Sequence, residues 1–286
     1  MVRAVLYVGH GSRDQEGNEE VKQVVQSLKR KVNEPFIIET CFLEFQEPDV
    51  KDGIEACIQK GATEIAVIPI MMLPAGHSKI HIPMVIDEAK KKHPTVKISY
   101  GKPIGVHPLT LEICKERLEE IGENVTKPDE HTAILLLGRG GSDPDANSDL
   151  FKISRLLWEK LNYPIVETAF MGVTSPLLEE GVERIIKLGA KKIIIVPYFL
   201  FTGILIKRLQ KQVEHFKQKY CGIQFSLTHY FGFHPLLEDI LLERTEETLT
   251  GPVAMNCDTC QYRIEITNHL EGHHHHHHHE HHHSSS

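Results

Sequence analysis

The chain lacks long apolar runs, blocks of one charge and a dense set of cysteines. Nowhere in its 286 residues does an uninterrupted apolar stretch approach the roughly 20 residues that a membrane-spanning helix requires. Lysine and arginine total 32 against 39 acidic residues, a net charge of −7 with both signs interspersed, which argues against nucleic acid or an anionic membrane as the partner. Six cysteines (Cys41, Cys57, Cys114, Cys221, Cys257 and Cys260) are too few for a disulfide scaffold in a chain of this size. Residues 1–12 read as a first β-strand rather than a leader peptide, so reduced thiols in the cytoplasm are expected. The excess is in histidine, 20 in all, of which ten fall between His273 and His283.

An internal repeat organises the rest. The segment from Gly61 to Pro69 recurs from Gly189 to Pro197 at an offset of 128, and the same offset pairs Phe42 with Phe170, Pro48 with Pro176 and Gly53 with Gly181. Toward the ends of each half the offset drifts by one, so Gly9-His10-Gly11 faces Gly138-Arg139-Gly140 and His107-Pro108 faces His234-Pro235. Two halves are expected, 1–121 and 133–249, joined by a polar linker at 122–132 around Lys127-Pro128-Asp129, with a tail at 250–286.

Each half parses as strands alternating with helices. In the first, residues 5–8 are a buried strand, and Val21, Val24, Val25 and Leu28 form a helix stripe. Strands follow near 36–42, 65–68 and 96–100. Pro48 is expected in the first turn of one helix, a second helix spans 83–92, and Pro108 opens the last. This alternation predicts an α/β fold with a parallel sheet in each half.

Ligands of such sheets bind beyond the carboxyl ends of the strands. The loops there carry His10, then Glu44 and Glu47, then His77. Under the repeat these positions become Arg139, Gly172, Ser175 and Leu205, so every candidate ligand or base is lost from the second half. Two histidines and one or two carboxylates at one sheet edge suit a divalent transition metal such as cobalt, iron, nickel or zinc. For His10 a turn residue between glycines, and for His77 a solvated loop residue, are the plain alternatives. Glu47, at the strand tip, is favoured over Glu44 for substrate contact, and either could be an ordinary surface carboxylate. His81 suits a cap or a supporting role beside His77. His107 and His234 occur in both halves and read as structural, while His93, His131 and His215 read as solvated.

Val8-Gly9-His10-Gly11-Ser12-Arg13, Phe42-Leu43-Glu44-Phe45-Gln46-Glu47-Pro48 and Leu73-Pro74-Ala75-Gly76-His77 with Ile82-Pro83 resemble the class II tetrapyrrole chelatases, and more narrowly the long, two-half sirohydrochlorin chelatases. The resemblance spans about residues 3–245. It implies two tandem Rossmann-like halves whose parallel sheets face a cleft. It implies a lyase that inserts Co2+ into sirohydrochlorin for cobalamin, with Fe2+ insertion for siroheme as the near alternative and Ni2+ as another metal. His10 would then be proton acceptor and metal ligand, and His77 the second ligand. Met72, Leu73, Pro74, Ala75, Gly76 and His77 would touch the macrocycle. His81 departs from the acidic residue many relatives carry there. A polycarboxylate substrate calls for local cations, and Arg13, Lys79, Lys102, Arg139, Lys207 and Arg208 fall in or near strand-end loops, with Arg139 proposed as a carboxylate anchor.

Cys257 and Cys260 form a lone Cys-x-x-Cys that resembles the [4Fe–4S] element of long cobaltochelatases, and a cluster there would need other ligands or a shared site in a homodimer. The histidine tract reads as a native metal-gathering tail, with an expression tag as the alternative. Outside the chelatases, a metal-storage or metallochaperone protein is one further reading. A nucleotide-binding domain at Gly138-Arg139-Gly140-Gly141 is another, weakened by the absence of a G-x-G-x-x-G spacing.

Overall fold

The computed structural model describes residues 2–32 and 35–251, with the backbone alone at His77. The expected Cys257–Cys260 element and the histidine tract lie outside the described residues. The first half runs β1 (Arg3–Gly9), α1 (Gln15–Lys31), β2 (Ile37–Phe42), α2 (Val50–Gln59), β3 (Glu64–Ile70), a π-helical turn (His77–His81), α3 (Ile82–Lys92), β4 (Lys97–Tyr100) and α4 (Pro108–Glu120). The second repeats it with β5 (Thr132–Gly138), α5 (Pro144–Leu161), β6 (Ile165–Phe170), α6 (Leu178–Lys187), β7 (Lys192–Pro197), α7 (Ile204–Lys219), β8 (Gln224–Leu227) and α8 (Pro235–Thr250). Each half is a four-stranded parallel sheet, ordered β2-β1-β3-β4 and β6-β5-β7-β8. The α/β expectation from the alternating pattern holds.

Alternation along the central strands explains how the sheets pack. Ala4, Leu6 and Val8 face an outer layer with α2 and α3, while Val5 and Tyr7 face inward. In β5 the outward set is Ala133, Leu135 and Leu137, and the inward set is Ile134 and Leu136. The inward faces of both sheets, with residues of α1, α4, α5 and α8, form one continuous apolar core that crosses from half to half. Burial on both faces is why these strands are unbroken apolar runs.

Contacts across the halves come as reciprocal pairs of repeat-related residues, the signature of a two-fold relation. His107 caps α4 and reaches Glu243, while His234 caps α8 and reaches Glu116. Arg244 donates to the Ile104 carbonyl at 3.0 Å and Arg117 to the Phe231 carbonyl at 2.6 Å. The two repeat-related histidines are therefore structural, as their presence in both halves suggests.

Three local expectations are corrected. Pro48 is not in the first turn of α2; Asp49 caps that helix by accepting from the Asp52 amide, and the Pro48 carbonyl instead accepts from the Phe42 amide, closing the loop back onto β2. His81 sits at the N-cap of α3, but its side chain makes no cap hydrogen bond, because the backbone there already continues helically from the π turn. His93 is not merely solvated, since its Nε2 lies 3.0 Å from Glu55. No helix among the described residues is long and apolar enough to cross a membrane.

Candidate functional site

Strand register brings the three loops together. Gly9, the last residue of β1, aligns with Phe42 of β2 on one side and Ile70 of β3 on the other. The loops beginning at His10, Leu43 and Met71 therefore leave the sheet on one row. His10 and Glu44 adjoin at this edge through their backbones, and the loop that leads to the His77 turn leaves from the same row.

The Gly-His-Gly loop has a geometric reason. Gly11 has φ +85°, and a Cβ there would lie 1.7 Å from the Glu44 carbonyl oxygen, so only glycine permits the two loops to touch. The Glu44 amide donates to the His10 carbonyl at 3.0 Å and the Leu43 amide to the Gly9 carbonyl at 3.0 Å. Buried Asn18 of α1 closes the far side, accepting from the Ser12 amide and donating to the Ser12 carbonyl, both at 2.8 Å. His10 is thus carried on a loop tied to α1 and to the β2 loop.

His10 Nδ1 lies 3.2 Å from the Gly11 carbonyl oxygen, which can only accept. The Nδ1 proton is assigned on that basis, leaving Nε2 with its lone pair, the arrangement of a metal-binding imidazole oriented by a backbone carbonyl. Facing Nε2 at 3.5 Å is Nη1 of Arg139, the residue that takes the place of His10 in the repeat. The two counterparts meet across the two-fold relation.

Glu44 is half-buried, whereas Glu47 is exposed and joined to Pro48 by a cis peptide bond. Both remain candidates, Glu44 adjoining His10 through its backbone and Glu47 at the exposed end of the same loop. Arg13 is exposed, with its guanidinium 4.9 Å from the centre of the Phe45 ring. Phe45 was not foreseen; it is 54% exposed at φ +62°, and Val173 occupies the equivalent strained position at φ +69°. The only sequence signal for it is an aromatic between the two candidate glutamates.

The loop after β3 is pinned by the Ile104 and Gly105 amides, which donate to the Met71 and Met72 carbonyls. Leu73, Pro74, Ala75 and Gly76 then lead into the π turn. Ser78, 1% exposed, bonds back to Ala75 through its hydroxyl, and Tyr100 donates to the Ser78 carbonyl at 2.8 Å. A π turn is uncommon and frequently marks a functional site. The second half has an ordinary helix, α7, at this place.

Two of the cations expected to serve as carboxylate anchors are already engaged. Lys79 is paired with Asp143 and Asp145, and Lys207 with Asp14 and Glu16, so both are neutralised by carboxylates of the opposite half. Arg13 and Arg139 keep their expected positions at the loop edge. Among the described residues no group of three or more histidine, cysteine, aspartate or glutamate side chains is arranged to enclose a metal ion.

The sequence profile of the CbiX family matches residues 4–121 and 133–248. A sirohydrochlorin cobaltochelatase of Priestia megaterium is 61% identical over 272 residues, covering 95% of this chain and 88% of the relative. A sirohydrochlorin ferrochelatase of the same organism is 38% identical over 248 residues, covering 87% of this chain and 91% of the relative. The crystal structure of the sirohydrochlorin chelatase SirB from Bacillus subtilis subspecies spizizenii in complex with cobalt superposes with a TM-score of 0.75 at 34% identity, covering 89% of this chain and 98% of that one. With both halves matched by the profile and the fold shared with a chelatase along nearly its whole length, the chain belongs to the CbiX family.

Proposed function

We infer that this chain is a sirohydrochlorin cobaltochelatase, a lyase that inserts Co2+ into sirohydrochlorin on the way to cobalamin. The observation that carries the metal assignment is the gap between 61% identity to the cobaltochelatase and 38% to the ferrochelatase. Iron insertion for siroheme is the second reading, favoured by the ferrochelatase relatives.

Insertion removes a pair of pyrrole N–H protons and transfers the metal from protein to ring nitrogens. His10 supplies the Nε2 lone pair for both tasks, holding the ion and then taking one of the two protons as the ion leaves, while the other passes to solvent water. His77, on the neighbouring loop, is the second ligand. Glu44, whose backbone bonds to that of His10, and Glu47, at the exposed end of the same loop, are the candidate carboxylates, with Glu47 for substrate contact. Met72, Leu73, Pro74, Ala75 and Gly76 form the wall against the macrocycle, and Arg13 and Arg139 take its carboxylates as charge-assisted partners. The reading is of a cytoplasmic enzyme acting on the macrocycle and the metal ion.

The described residues do not suit a [4Fe–4S] cluster held by one chain. Cys41, Cys57 and Cys114 are buried in the cores, and burial pushes the thiols of Cys57 and Cys114 up to about 12, so Cys221 is the one exposed thiol among the described residues that could join Cys257 and Cys260. No step is drawn through a cluster.

The test is absorbance-monitored insertion of Co2+ and of Fe2+ into sirohydrochlorin, without oxygen. His10→Ala is expected to fall about 100-fold or more below the native chain, in the range for loss of a proton-accepting side chain. Arg139→Ala is expected mainly to raise KM for the macrocycle. No native rate above the spontaneous one, or a His10→Ala rate equal to native, would sink the reading.

A further inference from the structure

The reciprocal pairing across the halves includes two ion clusters at opposite edges of the molecule. Lys79 Nζ lies 2.8 Å from Asp143 and 2.8 Å from Asp145, at the start of α5. Lys207 Nζ lies 2.6 Å from Asp14 and 2.8 Å from Glu16, at the start of α1. These are the same residues under the repeat, so both clusters follow from one arrangement.

What surrounds them differs. On the Lys207 edge, Glu20 accepts from the Thr202 amide at 2.8 Å and from the Tyr230 hydroxyl at 2.7 Å. Gly17 fits so close to Thr202 that a Cβ would stand 2.6 Å from its carbonyl oxygen. On the Lys79 edge the counterparts of Thr202 and Tyr230 are Pro74 and Pro103, which have neither an amide proton nor a hydroxyl to give. The counterpart of Gly17 is Ala146, and that of Glu20 is Asp149, a half-buried carboxylate that makes no Glu20-type hydrogen bond and instead feels the charges of Asp145, Lys152 and Lys79. Thus the loop after β7 is latched to the other half twice over, and the loop after β3 has lost the Glu20-type bonds. More of the hold on that second edge falls to Lys79, which belongs to the same π turn as His77.

We propose that Lys79 is a positioning residue for metal insertion: its ion pairs with Asp143 and Asp145 hold the His77–His81 turn against α5 and so set the separation of the His77 loop from His10. The assignment rests on the reading of His10 and His77 as the metal-handling pair. Charge opposes a role as substrate anchor, since a macrocycle carboxylate approaching Lys79 would meet two aspartates already bound there.

The experiment compares Lys79→Ala, the double variant Asp143→Asn/Asp145→Asn, the triple variant, Lys79→Arg and Lys207→Ala in full-length protein. Lys79→Ala is expected to lower kcat about 10- to 100-fold, the scale of an ångström-size misplacement of reacting groups, and to change KM for sirohydrochlorin by less than it changes kcat. The double aspartate variant should lose as much, the triple no more than either, and Lys79→Arg should recover most of the rate. Lys207→Ala, on the latched edge, should stay near native. Hydrogen–deuterium exchange over residues 71–82, read without substrate or metal, should quicken in Lys79→Ala and in the aspartate variant, and this readout stands even if the chelatase reading fails. A lower rate in Lys79→Ala with native rates in the aspartate variant would make Lys79 a substrate contact and overturn the proposal. Unchanged exchange over 71–82 would overturn it as well.

Discussion

The N-terminal and C-terminal halves share a frame and diverge in what it presents. After β1 and after β5 the chain makes the same turn, with Gly11 at φ +85° and Gly140 at φ +79°, each packed against a carbonyl of the neighbouring loop. Asn18 ties the first turn to α1, and Asn147 ties the second to α5 by the same two bonds to Gly141. None of these bonds involves the side chain between the glycines, which is why that position could become His10 in one half and Arg139 in the other without disturbing the fold. Where backbone geometry is supplied by glycines and a buried asparagine, the chemistry of the residue between them is free to change.

The largest effect that would break this comparison comes from exchanging the two residues. In His10→Arg with Arg139→His the imidazole would rise from the second half, whose neighbouring positions are Gly172 and Leu205 rather than Glu44 and His77. Cobalt insertion by the exchanged protein should stay about 100-fold or more below native. Recovery to within tenfold would mean that the frame alone, with one histidine at its centre, is sufficient.

A smaller effect tests whether the frames are packed alike. A Cβ at Gly53 of α2 would stand 2.8 Å from Leu6 and 2.9 Å from the Cys41 Cβ, and one at Gly181 of α6 2.7 Å from the Ala169 Cβ. Gly53→Ala and Gly181→Ala should each cost about 1–3 kcal/mol in urea unfolding, the usual range for overpacking. A cost in one half only would show that the helices approach their sheets unequally.

The smallest effect concerns pH. The bond from Lys207 holds the Asp14 carboxyl below its ordinary 3.8. A carboxylate with a depressed folded-state pKa stabilises the protein above its unfolded value and loses that contribution as pH falls through the folded one. The cluster should therefore persist from neutral pH down to about 4 and fail only below it. Lys207→Ala should move the acid-unfolding midpoint, followed by circular dichroism, to higher pH. An unmoved midpoint would mean that this exposed pair contributes nothing measurable.

Much of this was legible in the sequence because the repeat is written in glycines and prolines. Gly9, Gly11, Gly53 and Gly61 each mark a place where backbone geometry or close packing admits little else, so they kept register with Gly138, Gly140, Gly181 and Gly189. The loops bearing His10, Glu44 and the His77 turn followed from strand order alone. Contacts between distant segments were not legible. Pairing of Lys79 with Asp143 joins residues 64 apart, and periodicity carries no information about that separation. The alignment of Lys79 with Lys207 and of Asp14 with Asp143 was the available clue, since charges preserved with opposite sign in both halves suggest reciprocal partners. The π turn at His77–His81 left no pattern, because Pro83 alone suggested where a helix begins. His93 was misjudged for the same reason of distance, its partner Glu55 lying on another helix.

That His10 meets its own counterpart has an evolutionary consequence. In a symmetric pair of separate chains, whatever residue occupies this spot must face an identical copy of itself, so histidine opposes histidine or arginine opposes arginine. Two guanidinium groups would repel, and two imidazoles would offer an ion a matched pair of ligands on the axis with no fixed cation beside them. Once both copies are written into a single polypeptide, the positions become independent characters. A neutral ring can then face a permanent cation, a pairing no homodimer could present on its axis.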